Sequence, residues 1–537
     1  MKSVFLGLVH LILPSSVEVR KRRLELTVWA FLISLAFYPG YLGFLAWISL
    51  VRPLMILSRL KGRQALGAAY FFGFCFNAFT IYWVGMVTPP GVVAAVAIVA
   101  LYYTAMLMIF NRLYNLNSLL GLIAMPFLWT GLEYFRTLTQ FAFPWSGLGY
   151  TQSYYPYMLQ IVSVISVHGL TFLIVSVNVL IWLILRSDLS PARRLTSFWA
   201  AVCIVTSVLA YGWVVTPPIP RPGTFDVAVL QGSVPVGVKW EAGNEDHSFY
   251  LYDSLSLQGM VAPEVRGGIQ LYVWPETSAP SYLSHDFRRR IKVGQTARST
   301  HAYHLVGALG ATNIGEQQRY FNSCYLFTPQ GDMVQRHDKV TLVPFSEQVP
   351  YQDYLPFLKK EFLTKYLTFI KSYGVQWWSD FYPGESATLF EIGDYRFGAL
   401  ICFESTFPEF SRGLILDGAD FIVGITNDTW FGHSIGTHMH SRILITRAVE
   451  NRCWMARAAN SGLSYIVDGY GRIRSELPLD AVATLRGEMR PLDDISFFTR
   501  HGDIVGLVSF LITVSLAAIF VLVWLIRKIL PGGFVRR

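Results

Sequence analysis

Three short stretches carry residue types that together could run covalent acyl chemistry. In Arg396-Phe397-Gly398-Ala399-Leu400-Ile401-Cys402-Phe403-Glu404-Ser405, an apolar run of strand character ends at Cys402, and Glu404 follows two residues later. A strand that delivers a thiol into a turn can hold a nucleophile rigidly with its sulfur exposed. Upstream, Trp274-Pro275-Glu276 places a carboxylate at a strand end, and His337-Asp338-Lys339 sets a lysine before Val343-Pro344-Phe345-Ser346-Glu347. A thiol attacks as its thiolate, so something must take the proton, and Glu276 is the candidate base. A carbonyl under attack gathers negative charge, and Lys339, with the backbone N–H of Phe403, is the candidate to stabilise it. Glu347 and Glu404 are candidates to hold that lysine and tune its charge. Singly, each residue has a plainer reading: solvated strand-end carboxylates, a surface lysine, and a cysteine that is a small inert hydrophobe. Carboxylate, lysine and cysteine in that order, each beside a strand end, make the set more specific than its members.

The elements that must position these residues lie in the second half of the chain. Short β-type runs alternate there with polar helical ones, which predicts α/β layers around a shared core. Strands are expected at Phe225–Gln231, Ile269–Trp274, His304–Gly310, Ser323–Thr328, Ala387–Ile392, Arg396–Cys402, Phe421–Thr426 and Ser464–Asp468. Helices are expected at Phe287–Ser299, Pro408–Leu416 and Met439–Ala459. Tyr351–Pro383 fits neither pattern. It is rich in aromatics and lysines, which suits a membrane–water interface, and it is read as a lid touching the bilayer.

The first half is of another kind. Hydrophobic residues make up 53% of the 537-residue chain and charged residues 15%, against about a quarter charged in soluble proteins. The deficit is concentrated in residues 24–215. Apolar runs occur at about 25–37, 40–57, 65–87, 91–111, 117–133, 158–185 and 196–215, with a last one at 504–526. Most approach the roughly 20 residues needed to cross hydrocarbon. The first two are short and share Tyr38-Pro39-Gly40 between them. With a cytoplasmic N-terminus, the inside loops hold Arg20 to Arg23, Arg59, Lys61, Arg63, Arg112, Arg186, Arg193, Arg194, Arg527, Lys528, Arg536 and Arg537, and Arg52 lies close by. The outside loops of the seven-span part hold one arginine, Arg136. This alternation follows the retention of basic residues in the cytoplasm and places the 216–503 region outside. The expected organisation is a 1–23 cytoplasmic or interfacial segment, a 24–215 transmembrane domain, a 216–224 proline-rich linker, a 225–500 catalytic domain, a 504–526 transmembrane helix and a 527–537 tail. The net charge of +9 is accounted for by those loops, and no nucleic-acid motif accompanies it. Five cysteines show no zinc spacing and no CxxC pair; a Cys324–Cys453 disulfide is conceivable. His433, His438 and His440 match no standard zinc pattern, so no metal and no cofactor is expected.

The Glu276, Lys339 and Cys402 stretches resemble the Glu–Lys–Cys triad motifs of the nitrilase superfamily. Asn427-Asp428-Thr429-Trp430-Phe431-Gly432 resembles the NDxWFG motif of its membrane-bound branch, the apolipoprotein N-acyltransferases. Arg447-Ala448-Val449-Glu450-Asn451-Arg452 with Arg457 and Asn460-Ser461-Gly462, and Trp129 to Glu133, Arg136 and Phe143-Pro144-Trp145, are similar to further stretches of that family. The resemblance spans nearly the whole chain. It implies an αββα sandwich in the periplasm of a bacterial inner-membrane protein with about eight transmembrane helices. It implies a two-step reaction in which Cys402 takes an acyl chain from a phospholipid and passes it to the α-amine of a diacylglyceryl-cysteine apolipoprotein. Glu276 would be the base and Lys339 the oxyanion partner, with Glu347, Glu404 and Asn322 in support. Trp240, Trp145, Arg136 and Trp430 would contact substrate. A monomer suffices for this chemistry. Ser346 stands where the family has glycine, and Phe403 where it has tyrosine, which predicts altered substrate contacts with the backbone N–H retained. Two other classes compete: a membrane-tethered amidase or nitrilase using the same triad, for which one anchor would do, and a transporter or scaffold with an inactive domain, which has no reason to keep all three triad residues.

Overall fold

The computed structural model of the chain describes residues 16–218, 222–241, 245–260, 268–314, 317–352, 354–359 and 381–529. Residues 1–15 of the N-terminal segment, 360–380 of the expected lid and 530–537 of the tail lie outside these.

Two six-stranded sheets form the second half. One has the order β12-β1-β2-β3-β4-β5 and the other β11-β10-β9-β8-β7-β6. In the first, β1 (Phe225–Gln231), β2 (Leu271–Tyr282) and β3 (Tyr303–Ile314) run parallel, with β12 (Ala483–Met489) antiparallel to β1, β4 (Gln317–Phe327) antiparallel to β3 and β5 (Met333–Asp338) antiparallel to β4. In the second, β7 (Tyr395–Ile401), β8 (Phe421–Thr426) and β9 (Met455–Ala459) run parallel, with β6 (Leu389–Ile392), β10 (Ser464–Val467) and β11 (Ile473–Leu477) antiparallel. Alternation along β1 explains the layers. Val227 and Val229 belong to the core shared with the second sheet, whereas Ala228 and Leu230 pack with Phe249, Tyr252 and Leu255 of helix α1 (Glu245–Met260). Helix α2 (Phe287–Thr300) adds Val293 and Ala297 to that outer layer. Helices α3 (Pro408–Leu416) and α4 (Ile435–Asn451) join successive parallel strands of the second sheet. The result is the expected αββα sandwich, with both faces of its central strands buried.

The expected helix Met439–Ala459 is corrected. It ends at Asn451, where Arg452 takes a left-handed φ of 57°, and Met455–Ala459 is β9. The residues Met-Ala-Arg-Ala-Ala favour helix by propensity, but pairing with β8 and β10 on both sides overrides it. Cys324 and Cys453 are both free and buried, so they form no disulfide.

In the first half, five helices among the described residues are long and apolar enough to cross a membrane: Pro89–Leu116, Ser118–Phe135, Val162–Leu185, Pro191–Val215 and Ile504–Ile526. Val17–Leu35 and Gly62–Thr80 are 19-residue helices beside them. The 40–57 run is not one span: it breaks into a tight turn at Gly43–Trp47 and a short helix Val51–Ser58. Irregular backbone among apolar helices needs partners. Asn178 of Val162–Leu185 supplies two, accepting from Leu50 N–H at 2.9 Å and donating to Ala46 O at 2.8 Å, and Gln152 Nε2 donates to Gly43 O at 2.9 Å.

Candidate active site

The site forms where the strand ends of the two sheets meet. Pro275 brings no N–H to the β2–β3 ladder, whose register breaks between Trp274 and Ala279, so Glu276 leaves the pleat at that point. Antiparallel pairing of Ser323 with Asp338 on β4 and β5 makes Asn322 and Lys339 the next neighbours, and Lys339 N–H donates to Asn322 O at 2.8 Å. On the second sheet, Cys402 follows β7 with φ 52° and opens a tight turn, Cys402–Thr406. That turn leaves Cys402 half-buried.

A single hydrogen-bonded group results. Lys339 Nζ lies 2.8 Å from Glu347 and 3.9 Å from Glu276 Oε1. Asn322 Nδ2 donates to Glu276 Oε1 at 2.7 Å and to Glu347 Oε1 at 3.1 Å. The other oxygen of Glu276 accepts from the backbone N–H of Asn427 at 2.8 Å, across from the first sheet to the second. Burial pushes the Cys402 thiol well above its ordinary range; Glu276 pushes it further, Lys339 opposes, and Thr426 lends a hydrogen bond. Cys402 is therefore a thiol at rest, and to act as a nucleophile it would need a base beside it. Burial alone would lower the Lys339 ammonium, but Glu347, Cys402 and Glu276 more than offset it and hold the charge firmly. The arrangement suits nucleophilic attack on a carbonyl, with Glu276 moving the proton and Lys339 facing the oxyanion.

Glu404 sits elsewhere than expected. Its carboxylate does not touch Lys339; it accepts from Val340 N–H at 2.6 Å and Ile401 N–H at 2.7 Å, tying the loop after β5 to the end of β7. Phe403 packs edge-on against Phe407 at 5.1 Å. Trp240 is 39% exposed at the end of the short helix Val236–Lys239, and Trp430 is half-buried on the turn after Asn427. Arg136 and Trp145 are buried in the loop after helix Ser118–Phe135. There Arg136 donates to the carbonyls of Phe143 and Trp145 and so pins the loop. Of the three histidines, His433 pairs with Asp480 at 2.7 Å and His440 with Asp428 at 2.9 Å; among the described residues no His, Cys, Asp and Glu cluster could hold a metal.

Sequence reasoning missed Lys239. It is fully buried, Nζ donates to Thr277 Oγ1 at 3.2 Å beside the candidate base, and burial lowers its ammonium to about 8 against the pull of Glu276. Its only signal is adjacency to Trp240. A cleft beside the site was also unreadable in sequence. It holds about 190 Å³ and runs between Thr139, Gln140 and Ala142 of the pinned loop and Val340, Thr341, Leu342 and Pro344, reaching the site through Val340 and Phe403, the residues next in sequence to Lys339 and Cys402.

The carbon-nitrogen hydrolase family profile matches residues 251–491, and the profile of the apolipoprotein N-acyltransferase N-terminal domain matches residues 29–180. The apolipoprotein N-acyltransferase of Geobacter metallireducens is 34% identical over 487 residues, 88% of this chain and 90% of that one. That of Chlorobaculum tepidum is 29% identical over 532 residues, 92% of this chain and 95% of that one. An amidase from Nesterenkonia sp. overlaps 51% of this chain and 93% of its own at 19% identity and a TM-score of 0.35, too loose a fit to add to the fold described above.

Proposed function

The chain belongs to the apolipoprotein N-acyltransferase family, and we propose that it carries an acyl chain from a membrane phospholipid to an apolipoprotein amine on the sulfur of Cys402. Glu276 removes the Cys402 proton as sulfur attacks the ester carbonyl. Lys339 and the Phe403 N–H steady the tetrahedral oxyanion. Glu276 then returns the proton to the departing glycerol oxygen, leaving a thioester and a lysophospholipid. The α-amine of a diacylglyceryl-cysteine enters next, loses its proton to Glu276 and expels the Cys402 thiolate as the amide forms, and Glu276 passes that proton to the sulfur to restore the resting thiol. Asn322 and the Asn427 N–H keep Glu276 aimed through both halves, while Glu347 holds Lys339.

The observation that carries this reading is the cleft at Phe403, whose far wall is the loop at the end of the apolar helix Ser118–Phe135. A lipid donor requires a nucleophile that opens where the sandwich meets the bilayer; a small soluble amide does not. The full-length likeness to acyltransferases likewise favours transfer over the hydrolase alternative. The basic loops favour an inner-membrane, multi-pass protein with its sandwich in the periplasm, and one copy contains every group the reaction uses.

The test is the intact mass of the purified chain incubated with phospholipid vesicles and no acceptor, beside Cys402→Ala. One hydroxylamine-labile acyl adduct is expected on the native chain, persisting until a diacylated lipopeptide is added, and none on the variant. No adduct under any lipid would remove the thioester mechanism. Loss to water at the same rate without lipopeptide would restore the hydrolase.

A further inference from the structure

Behind the nucleophile stands a side chain that the mechanism above does not use. His440, on α4, is buried and reaches three elements at once. Its Nδ1 lies 2.9 Å from Asp428 Oδ1, and the other oxygen of Asp428 accepts from Arg457 Nη2 on β9 at 2.7 Å. Its Nε2 lies 3.1 Å from the carbonyl oxygen of Cys402 and 3.0 Å from Ser405 Oγ. Ser405 donates its own proton to that same carbonyl at 2.8 Å, so its oxygen is free to accept. The ring thus has the Cys402 carbonyl and Ser405 on one side and Asp428 on the other, where Arg457 Nη2 also comes within 3.3 Å of Nδ1. Trp145 and Phe431 close over it edge-on, with centroids at 5.7 and 5.9 Å.

Cys402 adopts a left-handed backbone with φ 52°, a conformation that a residue with a side chain keeps only when its surroundings enforce it. The direction of its carbonyl is part of that conformation, and the carbonyl's direction and the aim of Sγ are set together. We propose that His440 is a positioning residue for acyl transfer: with Nε2 donating to the Cys402 carbonyl and Nδ1 against Asp428, it ties that carbonyl to the buried Asp428–Arg457 pair and holds the turn in the geometry for attack. The inference rests on Cys402 being the acyl carrier. His440 has no hydrogen bond to Glu276, Lys339 or Glu347, so it acts on the reaction through the nucleophile's backbone alone.

Two substitutions separate this role from plain support of the core. His440→Asn keeps a donor near the Nδ1 position, toward Asp428, and loses the one toward Cys402. His440→Gln places its donor near the Nε2 position and keeps the bond to the Cys402 carbonyl. The measurement is single-turnover formation of the hydroxylamine-labile adduct on the full chain, with mixed phosphatidylethanolamine–phosphatidylglycerol vesicles. A displaced nucleophile costs on the order of 100-fold, so His440→Asn is expected to acylate about 100-fold slower at saturating vesicles with an unchanged KM. His440→Gln should recover roughly tenfold of that loss. Ser405→Ala, which removes the second bond to the same carbonyl, should slow acylation a few-fold. Native-rate acylation by His440→Asn, equal losses in Asn and Gln, or a loss confined to KM overturns the proposal. Should neither His440 variant fold, Ser405→Ala decides, and a native rate there overturns it. Absence of the adduct from the native chain would sink the Cys402 carrier and this proposal together; a native adduct with indifferent variants would sink this one alone.

Discussion

The two sheets divide the chemistry unequally. The first supplies charge: Glu276 from β2, Asn322 from β4 and Lys339 just past β5, linked by side-chain bonds of 2.7 to 3.1 Å with Glu347. The second supplies geometry: Cys402 in a left-handed turn after β7, Thr426 at the end of β8 and the Asn427 N–H. Each half is incomplete. The first has an acid–base pair and nothing to attack with, and the second has a thiol that burial keeps protonated. Two carboxylates join them: Glu276 accepts from Asn427, and Glu404 accepts from Val340 on one side and Ile401 on the other. Reactivity therefore depends on the registration of one sheet against the other, to within a hydrogen bond.

The sharpest way to break this division is to silence the charged half with the nucleophile intact. Glu276→Gln should lower thioester formation by about 10² to 10⁴-fold, the range of a lost general base. It should also expose the thiol's own titration. With its pKa raised, less Cys402 is thiolate at any given pH than in a free cysteine, and the fraction grows about tenfold per pH unit until that pKa is reached. Alkylation of the variant by iodoacetamide should therefore still be climbing above pH 8.5, the ordinary thiol value. A plateau below that pH would show that burial does not set the thiol.

Loosening the bridge should come next in size. Glu404→Gln turns an NH₂ toward one of two backbone N–H donors, Val340 or Ile401, and a buried mismatch at a charged acceptor costs roughly 2 to 3 kcal/mol. A lowered melting temperature with about tenfold slower acylation is expected. Native stability would mean that the Glu404 bridge adds nothing to the core the two sheets already share. Lys239 offers a smaller and pH-dependent effect. Its ammonium is lowered from 10.5 to about 8 in the fold, so between those pH values the unfolded chain binds the extra proton and the native protein gains stability as pH rises. Lys239→Met should be stabilised relative to native at pH 7, with the gap narrowing by up to about 3 kcal/mol toward pH 10. Parallel melting curves would contradict the burial of that charge. The smallest change is expected from Phe403→Tyr. The ring already packs on Phe407 beside the cleft, and restoring the hydroxyl should move acylation by less than about threefold, with any larger effect in the vesicle KM.

Much of the catalytic half could be read without coordinates. Phe225–Gln231 and Phe421–Thr426 form over the residues expected because apolar runs of strand length bounded by polar punctuation leave few alternatives, and helix Pro408–Leu416 does so because Pro408 opens it and Glu409 sits in its first turn. The order Glu276, Lys339, Cys402 was legible because Lys339 and Cys402 each follow a strand's last residue; Glu276, expected at a strand end, instead sits inside β2 where Pro275 breaks the register. Less was legible wherever two elements decide together. Met455–Ala459 has the local preferences of a helix and becomes a strand because β8 and β10 both claim it. The 40–57 run has the composition of a membrane span and breaks because Asn178 and Gln152, more than 100 residues away, bond its backbone.

The division is physical. Local chemistry, written in residue type and spacing, picked out Glu276, Lys339 and Cys402 in three short stretches of an α/β half, beside a half made of apolar helices. Only tertiary packing decided what each charge does. It put Glu404 on the backbone of two loops instead of on Lys339, buried Lys239 beside Glu276, and made Arg136 a clamp on the loop that walls the cleft. Those assignments hang on distances between residues far apart in sequence. Hydrogen bonds decide within tenths of an ångström, a scale that spacing along a chain does not encode.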